Sequence, residues 1–162
     1  MHPINHQALV SPSLLDRLMD DHPGAASESA SEILHDLSRY KQAVARDLEA
    51  LLNTRCTYLD DDMLEDFPLT RDSLLSFGIT DLSSLSLLDP EDRTFLRDSI
   101  RRTIARYEPR LTKVRVSLDL SRERDQVLRF RVDALLRVHP SRPPVTFDAM
   151  LRLSSNTYHV KD

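Results

Sequence analysis

Tyr107-Glu108-Pro109-Arg110 is the stretch at which the chain changes character. Before it, Arg93 to Arg106 reads as an amphipathic helix; after it, Leu111 to Leu120 alternates apolar and polar residues. Pro109 forces the change, because it donates no N–H and its ring pushes Glu108 out of the helical region toward an extended conformation. Two residues apart in an extended segment, Glu108 and Arg110 point to the same side, roughly 6.5–7 Å apart along the chain. A helix-to-strand junction that presents a paired acid and base is the leading functional feature of the chain.

Three strands follow the junction, each with a two-residue period. Val114, Val116, Leu118 and Leu120 share one face of the first, and Leu128, Phe130, Val132, Ala134, Leu136 and Val138 one face of the second. Val145, Phe147, Ala149, Leu151 and Leu153 do so in the third. The short polar connections Ser121–Gln126 and His139–Pro144 predict an antiparallel meander, and Ser154-Ser155-Asn156 turns into a brief last strand, Thr157–Val160.

Upstream of the junction the period is helical. Asp89-Pro90-Glu91-Asp92 starts a helix with an N-cap Asp, Pro at the first position and acids at the positive end of the dipole. Its apolar stripe is Phe95, Leu96, Ile100, Ile104 and Tyr107. A longer helix is expected from about Glu32 to Asn53, opened by the capping box Ser29-Ala30-Ser31-Glu32 and striped by Ile33, Leu37, Tyr40, Val44, Leu48, Leu51 and Leu52. Between the two, Thr70 to Phe77 reads as a short helix with Gly78 as its αL C-cap, and Asp81 opens one more turn to Leu85. The expected fold is α+β: N-terminal helices packed on a mainly antiparallel C-terminal sheet, a meander. It forms a single domain over 31–162, preceded by a flexible arm, 1–30, in which Leu14, Leu15 and Leu18 share one face of a short helix.

With 162 residues, 40% hydrophobic and 30% charged, the chain has enough material for one core. No apolar run approaches the ~20 residues needed to span a bilayer, and the N-terminus lacks the pattern of a signal peptide. The single cysteine, Cys56, excludes an internal disulfide framework and suits the cytoplasm. Charge is segregated: residues 1–88 hold 6 Lys and Arg against 15 Asp and Glu (net −9), and residues 89–162 hold 16 against 11 (net +5). Nineteen of the 22 basic residues are Arg, the cation suited to fixed, bidentate contacts at interfaces, although a GC-rich genome would produce the same bias.

No catalytic constellation stands out. Two glycines, Gly24 and Gly78, cannot build a phosphate loop, and the scattered histidines have no metal-ligand spacing, so neither a metal nor a cofactor is expected. The carboxylates of Asp60-Asp61-Asp62 and Glu65-Asp66 lack EF-hand spacing and its central Gly, and read as a solvated loop. Glu108 is the one candidate acid for glycoside hydrolysis, but Arg110 beside it favours the carboxylate, and the chain has no Trp to stack on sugar rings. On the polar face of the sheet, Arg115, Arg129, Arg131, Arg137 and Arg152 alternate with core residues. Such charges bind phosphates, guard a sheet against unwanted pairing, or meet a protein that adds a strand; sparse aromatics and the acidic chain favour a protein over nucleic acid.

Four blocks then resemble a known family. Ser13-Leu14-Leu15-Asp16-Arg17-Leu18, Asp47-Leu48-Glu49-Ala50-Leu51-Leu52-Asn53-Thr54-Arg55, Ser73-Leu74-Leu75-Ser76-Phe77-Gly78-Ile79-Thr80-Asp81-Leu82-Ser83-Ser84 and Tyr107-Glu108-Pro109-Arg110-Leu111 are similar, in that order, to TssE, the baseplate subunit of type VI secretion, related to a phage-tail baseplate wedge protein. The resemblance implies a non-enzymatic, cytoplasmic component of a contractile injection machine, in a baseplate docked at the inner membrane. It implies TssF, TssG and TssK as wedge partners, and a template on which the TssB–TssC sheath starts to polymerise by strand exchange. The family's Glu-Pro-Arg signature falls on Glu108, Pro109 and Arg110, which it assigns to partner binding in assembly. The family's lysozyme-like label would imply a peptidoglycan hydrolase, for which these residues give no chemical support; an Arg-rich nucleic-acid binder is the third reading. The bland alternative for Glu108 and Arg110 is a local ion pair fixing the corner. As an exposed pair it would contribute only ~0–1 kcal/mol, so alanine at either position is expected to leave folding largely intact.

Overall fold

A computed structural model describes residues 13–18, 37–56, 66–71, 73–81, 85–86, 88–119, 127–138, 142–152 and 154–162. The capping box at Ser29–Glu32, the first turn of the long helix, most of the acidic run at 60–66 and the turn after Asp81 lie outside them. The helices are α1 (Leu14–Leu18), α2 (Leu37–Asn53), α3 (Pro68–Arg71) and α4 (Pro90–Tyr107), with a 3₁₀ turn at Leu74–Ser76. The strands β1 (Leu111–Asp119), β2 (Val127–Leu136), β3 (Pro144–Arg152) and β4 (Thr157–Lys161) form one antiparallel sheet in the order β1-β2-β3-β4. This is the expected α+β meander.

Helices α4 and α2 lie across one face of the sheet, α4 along β1 and α2 along β4. Val44, Leu48 and Leu52 of α2 and Leu96, Ile100 and Ile104 of α4 are buried against Val132, Phe147 and Tyr158 of the sheet. Burying each such side chain stabilises the fold by roughly 1.5–3 kcal/mol before entropy is counted. The start of α4 forms as its residues require, with Asp89 accepting from the Glu91 N–H at 2.9 Å and Pro90 leading the first turn. Phe95, expected in the stripe, is half exposed, because the stripe through Leu96, Ile100 and Ile104 lies one residue, about 100°, further round.

Two local departures come from the tertiary fold. The segment expected as one helix over Thr70 to Phe77 is divided between α3 and the 3₁₀ turn, where the Ser73 hydroxyl accepts from the Leu75 N–H. Gly78 is not an αL cap; its φ is 109°, and a Cβ there would stand 2.4 Å from the Thr54 carbonyl oxygen. The close approach exists because Ile79 forms a parallel bridge to Arg55, with Ile79 N–H to Thr54 O at 2.8 Å and Cys56 N–H to Ile79 O at 3.0 Å.

Strand β1 carries a bulge that simple alternation conceals. Leu111 and Val116 are both buried although five residues apart. Thr112 pairs with Leu135 but Arg115 pairs with Asp133, so three residues advance on β1 for two on β2. Lys113 absorbs the extra residue with φ 54°.

The two sheet edges differ. Along β4, the Asn53 amide accepts from the Tyr158 N–H and donates to the Tyr158 carbonyl, both at 2.9 Å, and Glu49 accepts from the Val160 N–H at 2.9 Å. Side chains of α2 thus stand where a fifth strand would pair. Among the described residues, nothing comparable closes the outer edge of β1 between Thr112 and Leu118.

Candidate functional site

The corner between α4 and β1 begins with Glu108, whose N–H still completes the helix to the Ile104 carbonyl at 2.9 Å. Its own carbonyl accepts from the Leu111 N–H at 3.1 Å, so Pro109 and Arg110 form a tight turn that delivers the chain into β1. The turn brings Glu108 and Arg110 together. Arg110 Nε donates to Glu108 Oε1 at 2.6 Å, its Nη2 donates to Oε2, and its backbone N–H reaches Oε1 at 3.1 Å. The fork-to-fork geometry matches a planar guanidinium to a carboxylate, a match that Lys would not make.

This pair is interior. Glu108 is 4% exposed, while Pro109 is exposed and Arg110 partly so. The small contribution of an exposed ion pair therefore does not describe it. Arg110 Nη2 also donates to Asp47 Oδ2 of α2 at 2.7 Å, and its guanidinium lies over the Tyr40 ring, 5.9 Å from the centroid. Burial works against the Arg110 charge, but Glu108 and Asp47 outweigh it and raise its pKa above the ordinary arginine value. Burial also pushes the Tyr40 hydroxyl upward.

The network continues outward from Asp47. Its Oδ1 accepts from Arg46 Nε at 3.1 Å and from Arg46 Nη2 at 2.9 Å, and that same Nη2 reaches Asp16 Oδ1 of α1 at 2.6 Å. Ser13 and Asp16 cap α1 reciprocally: the Ser13 hydroxyl accepts from the Asp16 N–H at 3.2 Å, and Asp16 Oδ2 accepts from the Ser13 N–H at 3.3 Å. Burial pulls the Asp16 carboxyl upward, yet the Ser13 and Arg46 contacts prevail and hold it below the usual Asp value. Helix α1 thus docks by its polar side, with Leu14, Leu15 and Leu18 all exposed.

Glu108, Pro109 and Arg110 are where the junction reading places them, and the structure brings the two charged members into contact. Asp47, Tyr40, Arg46 and Asp16 are additions. Asp47 sits off the apolar stripe of α2, and only its place in the block Asp47–Arg55 could have marked it. That block is a structural hub: Asp47 holds Arg110, Glu49 and Asn53 close β4, and Arg55 donates to the Asn156 carbonyl at 2.8 Å. Arg137 closes the far side of the corner, its N–H on the Arg110 carbonyl at 2.7 Å and its Nη1 on the Pro109 carbonyl at 3.3 Å.

The arrangement immobilises charge at the corner. The Glu108 carboxylate accepts from three donors of Arg110. Among the described residues no cluster of His, Cys, Asp or Glu is placed to hold a metal ion, and no helix is long and apolar enough to cross a membrane.

No curated protein matches the chain. A chain of the solved baseplate complex from the type VI secretion system is similar at 15% identity and a TM-score of 0.49, the likeness covering 68% of this chain and 93% of that one. That likeness is too slight to build on. The model of the baseplate wedge protein gp25 family matches residues 38–141, a span from α2 to the β2–β3 connection that contains the Glu108–Arg110 corner, and the chain belongs to that family.

Proposed function

We propose that the protein is the structural wedge subunit of a type VI secretion baseplate, linking the baseplate to the contractile sheath and offering the β1 edge as the template on which the sheath begins to polymerise. The observation that carries this reading is the asymmetry of the sheet edges: Asn53 and Glu49 close β4, while among the described residues nothing occupies the outward backbone groups of β1, which suits them to another strand. The Glu108-Pro109-Arg110 corner leads directly into β1. Its network, anchored on α2 through Asp47, sets the position and direction of that edge. The bulge at Lys113 keeps the free edge from indiscriminate pairing by twisting it and placing a cation there.

In this reading the wedge partners are TssF, TssG and TssK, and the sheath partners TssB and TssC. The assembly works at the cytoplasmic face of the inner membrane, and the domain over 31–162 is the assembling body. Glu108 acts from inside as a positioning residue, and Pro109 with the outer part of Arg110 presents the contact. The protein carries no catalytic step. Hydrogen exchange tests the edge assignment: the alternate, outward-facing amides of β1 between Val114 and Leu118, which β2 does not bond, exchange readily in the isolated protein and become protected when TssB–TssC is added. Protection along β4 in place of β1 would reject the template role, and failure to co-purify with TssF, TssG and TssK would reject the wedge assignment.

A further inference from the structure

We propose that the outer face of the sheet, opposite the helices, is a second docking surface, and that it takes an extended acidic protein segment. The face is open: Arg115, Ser117, Arg129, Arg131, Asp148, Arg152 and Lys161 all point away from the core and are exposed. Its charges do not cancel. Arg131 Nε pairs with Asp148 Oδ1 at 3.1 Å, and Asp133 accepts from the Thr146 hydroxyl at 2.8 Å, so these acids are engaged within the face. Among the described residues no carboxylate pairs with Arg115, Arg129, Arg152 or Lys161. A surplus of cations therefore covers the sheet of a chain whose net charge is −4.

The spacing selects the kind of acid. Arg129 and Arg131 are alternate residues of β2, roughly 6.5–7 Å apart along the strand. Lys161 lies in line with Arg131, two strands away through Asp148 and so roughly 9–10 Å off. A segment with carboxylates at alternate extended positions repeats the first spacing, and Arg forks meet carboxylates two bonds at a time. A shallow groove runs across this face from Ser117 on β1 to Lys161 on β4, lined by Arg129, Arg131 and Met150 and also by Asp119 and Asp148, the latter held by Arg131, and it gives such a segment a seat. Nucleic acid fits less well: a duplex carries its charge well beyond this face, where the net −9 of residues 1–88 repels it, whereas a short segment sets single carboxylates against Arg129, Arg152 and Lys161.

The test uses the full chain and a fluorescein-labelled twelve-residue peptide with Glu at alternate positions, read by anisotropy at low salt. Arg129→Glu with Lys161→Glu is expected to weaken binding at least ~10-fold, since reversing a contact charge turns attraction into repulsion. Both side chains are exposed, so circular dichroism of the variant should match the parent. Arg101→Glu with Arg102→Glu, on the outer face of α4, should stay within ~2-fold, the scale of a distant screened charge. Equal loss in both variants, unchanged binding in the sheet variant, or tighter binding of a DNA duplex than of the peptide would each overturn the proposal. The surface is separate from the Glu108–Arg110 corner, so its failure leaves the wedge assignment standing.

Discussion

Arg110 and Asp47 are 63 residues apart in the chain and 2.7 Å apart in the fold. Their contact ties the turn that launches β1 to the middle of α2, and it makes the corner part of the core's framework.

Glu108→Ala leaves a largely buried guanidinium with Asp47 as its remaining carboxylate. Breaking one side of a buried pair costs about 3–5 kcal/mol, and the surviving Asp47 contact places the expected loss at the lower end, about 3 kcal/mol by denaturant titration. Arg110→Lys should also destabilise, by less, because the ammonium cannot span both carboxylates. A loss under about 1 kcal/mol for Glu108→Ala would return the pair to the status of a surface ornament.

Asp16→Ala should release α1 and leave the core intact. The change is expected as new proteolytic sensitivity around residues 13–18 with an unchanged melting transition of the body. The Asp16 carboxyl is held below its ordinary value, so its stabilisation is complete above the unfolded pKa and is lost as pH falls through the folded one. Release of α1 in the parent protein should therefore begin only below about pH 4. Release near neutral pH would contradict the Asp16–Arg46 latch.

Tyr158 is fully buried, and among the described residues its hydroxyl makes no well-formed hydrogen bond, with the Arg55 guanidinium as the polar group beside it. Burial, partly offset by the nearby Arg55 guanidinium, raises its pKa to about 12. A raised folded value means that its contribution is whole below the unfolded value of about 10 and is lost as pH rises toward 12. Tyr158→Phe should keep or raise stability near neutral pH by up to ~1 kcal/mol, and should remove part of the alkaline transition. Marked destabilisation would mean that the hydroxyl is bonded after all.

Gly78→Ala should destabilise by at least ~2 kcal/mol. It combines a positive φ with a Cβ 2.4 Å from a backbone oxygen that no rotamer change can relieve. Chemical denaturation reads the loss directly, and a neutral result would mean that the bridge between Ile79 and Arg55 shifts freely.

Lys113 sits in the left-handed region within a bulge. Lys113→Gly removes that strain at the cost of chain entropy and should be stability-neutral to within ~1 kcal/mol, while Lys113→Val should lose about 1–2 kcal/mol. Equal tolerance of Gly and Val would argue that the bulge is absent in solution.

The amino-acid sequence alone determined the elements that repeat. Alternation over three runs of strand, the Asp89-Pro90 start of α4 and the Pro109 stop need only local sterics and burial, and they yield the α+β meander with its junction at Tyr107-Glu108-Pro109-Arg110. Those residues could also be picked out as a pair, on the expectation of an extended segment with acid and base on one side; the pair forms, but across a tight turn at Pro109 and Arg110. Partners from distant elements were invisible. Asp47 is one acid among several off the apolar stripe of α2, and nothing in its neighbours says that Arg110 will arrive beside it. The same holds for Asn53 and Glu49: as helix residues they look solvated, and only the docking of α2 along β4 makes them caps of an edge strand. The bulge at Lys113 and the steric need for Gly78 arise because two segments must meet at a fixed separation. Periodicity records which side of an element faces inward; what stands opposite each side chain is a property of the assembled layers.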